Sequence, residues 1–349
     1  MTKRIKIKKQ VYYILIGIVL IIMASIFGNY KYKEYKYHQT YEYKLLNHGY
    51  KGEDVTKILN NFSEKDYNYF LNNDVNENYI KLLDEKYFLK KNFYKYIEYM
   101  NNNKKLDLTS VVRNINIHLD KNFYEEEFNT DVSKDTSMLV NKYYLLGSDY
   151  APSDLVTISQ TYSWGDAGSQ KTRKVTYDAF LEMWNAAQEE QGYYLMVSSS
   201  YRSYQEQEIV YNNYKKTRGQ KYADSIAARP GASEHQTGLT LDIFNKLNNN
   251  KNTFKDTDTA KWLENNAYRF GFILRYPEDK VKVTGYSYEA WHFRYVGKEI
   301  AKYVYENNIT FEEYYGQKAT KKRKLYNGAL RTDLFQYWGT RPPRKDKTI

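Results

Sequence analysis

The chain has no cysteine. That absence removes a disulfide framework, thiolate metal sites, a cysteine nucleophile and a cysteine-linked lipid anchor. Histidine is scarce, five in 349 residues, so imidazole chemistry can come from only a handful of positions. Acidic residues are in the minority: 53 Lys and Arg against 42 Asp and Glu leave a formal net charge of +11. Such an excess points to anionic surroundings: nucleic acid, anionic lipid or an acidic wall polymer. A glycine-rich phosphate loop and a regular repeat are both missing.

What is present begins at the N-terminus. Lys3, Arg4, Lys6, Lys8 and Lys9 precede an uncharged run from Gln10 to Tyr30. As a helix that run is roughly 30 Å long, about the hydrocarbon thickness of a bilayer. It ends at Ile26-Phe27-Gly28, a poor cleavage site, so an uncleaved anchor is expected over a cleaved signal peptide. The basic tail at 1–9 favours a cytoplasmic N-terminus, a single-pass anchor at 10–30 and an extracytoplasmic remainder. The stretch "YKYKEYKYHQTYEYK" that follows reads as an interfacial belt of Tyr and Lys beside a membrane.

Residues 31–150 are expected to form a juxtamembrane, mostly helical extension. Ser63 followed by Asp66 is a capping-box pattern, and Leu82-Leu83, Tyr87-Phe88 and Tyr94 to Ile97 are spaced near 3.6. His48 and His118 have no second ligand nearby and read as packing or solvated residues. "SMLVNKYYLL" reads as a strand. From about 151 helices and strands alternate: "TYDAFLEMWNAAQEEQG" is a helix with Tyr177, Leu181, Trp184 and Ala187 on one face, "YYLMVSSS" a strand, "SYQEQEIVYNNYKK" a helix, and "TAKWLENNAYRFGF" a helix stopped by glycine before the strand "FILRY". This favours a compact α+β domain over 151–316. A basic tail follows at 317–349.

Two histidine segments stand out within that domain. "SEHQTGLTLD" places His235 seven residues before Asp242, and "YEAWHFRYVG" places Glu289 three before His292. Two imidazoles and one carboxylate are a ligand set for zinc that leaves a fourth position for water, the mark of a catalytic rather than a structural site. Zinc lowers the pKa of that water, and Glu289 is placed to take its proton.

These segments fit the S-x-H-x6-D and E-x-x-H signatures and resemble the zinc D-Ala-D-Ala carboxypeptidases of the VanY-like type. The likeness covers about Leu155 to Gly316 and includes "YRSYQEQ", "ARPGASEHQTG" and "WLENNAYRFGFILRYPEDK". It implies a hedgehog-like α+β peptidase domain with an antiparallel sheet, with Zn2+ on His235, Asp242 and His292, and Glu289 as general base. It also implies Arg202 as a substrate-binding residue that polarises the scissile carbonyl, a role that suits a fixed guanidinium facing a developing oxyanion. Tyr201, Gln207 and Ser233 match positions that line the pocket. Ser200 stands where a glycine is usual, Thr240 where an alanine is common and Ala290 where a proline is common.

The expected activity is removal of the C-terminal D-Ala from peptidoglycan stem peptides. The rivals are an L,D-carboxypeptidase acting on tetrapeptide stems and a non-catalytic wall-binding protein, which would have no use for Glu289. Stem peptides, the membrane and anionic wall polymers are the expected partners. Nucleic acid is not, because the span puts most of the charge on the other side of the membrane.

Overall fold

The computed structural model describes residues 9–166 and 168–321. They fall into two compact units, divided between Val112 and Arg113.

The first unit opens with a helix from Lys9 to His38, long and apolar enough to cross a membrane. Ile14, Leu15, Ile18, Leu20 and Ile21 along it are exposed. Short helices follow, Tyr41–His48, Gly52–Asn61, Glu64–Asn72 and Phe93–Asn102 among them. The capping box forms: Asp66 accepts hydrogen bonds from the Ser63 backbone N–H at 3.1 Å and from its hydroxyl at 2.9 Å. Helices this short are marginal alone. They are held by an aromatic core in which Phe62 lies 5.2 Å from Phe70 and 4.6 Å from Phe93, all three buried.

Among its described residues the second unit carries eight short strands: β1 (Phe128–Asn129), β2 (Tyr144–Leu145), β3 (Leu155–Thr157), β4 (Lys171–Arg173), β5 (Leu195–Ser199), β6 (Thr240–Asn245), β7 (Phe272–Leu274) and β8 (His292–Tyr295). β5, β6, β8 and β7 form, in that order, an antiparallel four-stranded sheet. The helix Lys174–Gln191 packs Phe180, Met183 and Ala187 against Leu195, Val197, Leu241, Ile243 and Phe293 in one apolar core. Of the expected face, Ala187 is fully buried in that core, while Tyr177, Leu181 and Trp184 are partly buried and pack against it. Gly192, in the left-handed region at φ +70°, stops the helix as its sequence indicates.

"SMLVNKYYLL" is not a strand along its length; only Tyr144 and Leu145 pair, parallel to β1. The Asn141 side chain accepts hydrogen bonds from the backbone N–H of Tyr143 and Tyr144, and this local turn competes with a ladder. This segment belongs to the sheet-bearing unit, which reaches back to Arg113, ahead of the boundary read from composition at 150. Met138, Val140 and Leu146 pack with Leu239, and Leu139 packs with Ile273 and Val296. At the other end a helix from Phe311 to Lys321 runs through the start of the basic tail, most of which lies outside the described residues.

Candidate active site

Alternation along β6 sends Leu241 and Ile243 into the core and Asp242 to the opposite face. The β6–β8 register sets Asp242 directly across from His292. Residues so paired hold their Cβ atoms about 5 Å apart, which is how a carboxylate and an imidazole far apart in sequence come together. Asp242 Oδ1 lies 3.3 Å from His292 Nδ1.

His235 arrives from another direction. It sits in a one-turn helix, Glu234–Thr237, that ends at Gly238 with φ +66°. A Cβ on Gly238 would come within 2.8 Å of Arg173 Cγ, so the turn entering β6 requires glycine twice over. His235 Nδ1 lies 2.7 Å from the Ser200 carbonyl and donates to it. That bond fixes the tautomer and leaves Nε2 bare, 3.6 Å from Asp242 Oδ1. One ring nitrogen each of His235 and His292 and one oxygen of Asp242 all lie within 4.8 Å of one another, and all three residues are buried.

Glu289 joins from the turn before β8, its Oε2 3.3 Å from His292 Nδ1 and its side chain still partly open to solvent. Arg202 follows β5, where a register shift between Val197 and Ser199 re-aims the strand end. Its guanidinium donates to Ser199 Oγ at 2.8 Å and to Gln207 Oε1 at 2.7 Å, and Gln207 in turn donates to the Ala228 carbonyl. Arg202, Gln207, Ser233, His235, Asp242, Glu289 and His292 all line one open cavity of about 140 Å3. Tyr201 does not line it; its backbone N–H bonds to the Lys171 carbonyl.

The electrostatics follow from burial. His235 is pushed below its ordinary value by desolvation and then by the Arg202 charge. Burial disfavours a charged Asp242, but His235 and His292 hold its carboxyl well below the usual range. Burial would lower His292 too; the carboxylates of Asp242, Glu234 and Glu289 that face its ring raise it well above the ordinary imidazole value.

The family model for VanY, D-alanyl-D-alanine carboxypeptidase, matches residues 169–298. A D-alanyl-D-alanine carboxypeptidase of Enterococcus faecium is 32% identical over 61% of this chain and 67% of its own length. The solved LdcB LD-carboxypeptidase is 40% identical, covers 55% of this chain and 90% of that one, and superposes with a TM-score of 0.52. The chain belongs to the VanY family. A mutant of the D,D-pentapeptidase VanY from the VanB-type resistance cassette, solved in complex with Zn(II), is 32% identical over 51% of this chain and 98% of that one, with a TM-score of 0.44. The chain spans 66% of the length of a putative carboxypeptidase of Bacillus subtilis and 48% of that of an Enterococcus faecalis D-alanyl-D-alanine carboxypeptidase.

Whether the residues of this VanY-family site suit a metal can be judged from their unpaired atoms. Asp242 Oδ1 is buried and makes no hydrogen bond, although two imidazole nitrogens face it. A buried carboxylate oxygen without a donor is costly. A cation shared by Asp242 Oδ1, His235 Nε2 and His292 Nδ1 would satisfy all three, and two imidazoles with one carboxylate are donors suited to zinc. The residues fit the group.

The sequence reading passed over Glu234. It lies between Ser233 and His235, fully buried, with Oε1 accepting from Arg275 Nε at 2.8 Å and Arg294 Nη1 at 2.9 Å. Arg275 also forms a two-pronged pair with Glu312, at 2.9 and 2.6 Å. The available signal was two arginines inside otherwise apolar strand sequence, at the end of "FILR" and within "HFRY", where an unpaired guanidinium would not be tolerated. Tyr276, Tyr286, Trp291 and Lys251 also line the cavity and were not foreseen.

Proposed function

We propose that this protein is a membrane-anchored, extracytoplasmic zinc carboxypeptidase that removes the C-terminal D-Ala from peptidoglycan stem peptides. The observation that carries the reading is the convergence of His235, Asp242 and His292 with Glu289 and Arg202 around one cavity. His235 Nε2, Asp242 Oδ1 and His292 Nδ1 would hold Zn2+, which supplies Lewis-acid polarisation and an acidified water. Glu289, at the solvent-facing side of His292, takes the proton of the attacking water and hands it to the departing amine. Arg202, locked by Ser199 and Gln207, faces the oxygen on which negative charge develops; a donor that needs no reorganisation stabilises the transition state most. Tyr201, outside the cavity lining, supports the Arg202 loop through its backbone. The apolar helix Lys9–His38 is the anchor, and the excess positive charge suits anionic wall polymers.

L,D-carboxypeptidase action on tetrapeptide stems is the second reading, favoured by the likeness to the LdcB LD-carboxypeptidase. Purified protein with zinc, incubated with penta- and tetrapeptide stems, separates the two. Release of D-Ala from the pentapeptide alone supports the first reading, release from the tetrapeptide alone the second, and release from neither overturns both.

A further inference from the structure

We infer that Glu234 is the positioning carboxylate of the metal site: it accepts the Nε2 proton of His292 and so directs the Nδ1 lone pair into the cavity. The inference rests on the metal reading above. Glu234 Oε2 and His292 Nε2 are both buried, and neither has a hydrogen-bond partner. They face each other at 3.7 Å. Two buried polar atoms of complementary kind, each otherwise orphaned, are a donor and its acceptor. Closing the gap to a charge-assisted bond takes a movement on the order of 1 Å.

The rest of the cluster explains why Glu234 is the group for this task. Its other oxygen is held by Arg275 and Arg294, so the carboxylate cannot rotate away. Arg294 is braced by the Met138 carbonyl at 2.8 Å, and Arg275 by Glu312. Two arginines and two glutamates make the cluster neutral, which keeps Glu234 ionised without water. A carboxylate behind a ligating imidazole fixes the ring, sets the tautomer and makes the ligand more basic. The turn Glu234–Thr237 thus serves both imidazoles: His235 is one ligand, and its neighbour Glu234 orients the other.

The test uses the full chain in detergent micelles and reads zinc affinity by competition with a chromophoric chelator. Glu234→Gln should lose about 10- to 100-fold in affinity. Glu312→Gln removes the same charge from the same cluster without touching His292, and it should keep the wild-type affinity. Equal losses in both variants, or wild-type affinity in Glu234→Gln, would overturn the inference. Should Glu234→Gln fail to fold, nitrogen-15 NMR of the zinc-loaded wild type decides: His292 must carry its proton on Nε2, and a bare Nε2 refutes the assignment. Absence of zinc binding by the wild type would instead remove the metal reading itself.

Discussion

Glu289 and His292 stand only three residues apart and in different surroundings. His292 is buried between Asp242 and Glu234, whereas the Glu289 side chain keeps access to solvent, where a proton must come and go. Glu289→Gln is nearly isosteric and is expected to keep zinc and fold while turnover falls by about 100-fold or more. Substrate affinity should change far less, since proton removal matters in the transition state. Arg202→Ala should weaken both binding and turnover, because its charge can meet the peptide and the developing oxyanion alike. Kinetics and zinc content measured on both variants check this; near wild-type turnover by Glu289→Gln would mean another base. The residues that converge at the cavity were legible in sequence because His, Asp and Glu have no packing reason to stand at those intervals in "SEHQTGLTLD" and "EAWH". Glu234 was not, since its partners Arg275 and Arg294 lie 41 and 60 residues away and only the fold brings them in.

Between elements, the segment that runs into β2 also grips the cavity wall. Lys142 Nζ donates to the Asp224 carbonyl at 2.5 Å and to the Gly285 carbonyl, with the Tyr286 ring 4.1 Å away; Tyr286 lines the cavity. Burial pulls the Lys142 ammonium down to about 8, against the attraction of Asp224. The ordinary value of 10.5 applies to the unfolded chain. Between about pH 8 and 10.5, therefore, the unfolded chain holds a proton that the folded one has lost, and this group's contribution to stability rises with pH across that window. The full span is worth on the order of 3 kcal/mol. Unfolding measured from pH 7.5 to 10 should show the wild type gaining stability relative to Lys142→Met as pH rises; parallel curves would mean that the ammonium is not held as described. Helix ends were the best-read elements, because Gly192 and Gly271 stop helices locally. The strand in "SMLVNKYYLL" was misread because the Asn141 side chain claims two backbone N–H groups that a ladder would need.

For the whole molecule the outstanding question is which side of a membrane the site occupies. The proposed topology, with the peptidase unit outside, rests on the apolar helix Lys9–His38 and the lysines and arginine before it. Protease added to wall-stripped cells should digest that unit while sparing cytoplasmic controls. Protection of the unit in intact cells would contradict the topology.

Composition and local pattern were enough to read the apolar N-terminal helix, the helix stops, the exclusion of thiol chemistry and the identity of the ligand candidates. Each depends on neighbours within a few residues. The tertiary structure alone decided that β6 and β8 pair in the register that sets Asp242 against His292, that Arg202 lines the same cavity, and that the described residues from Arg113 onward pack in one unit. It also decided the burial of Glu234 with two arginines. Pairing register and buried ion pairs join residues distant in the chain, and a charged side chain is worth burying only where the fold supplies its partner.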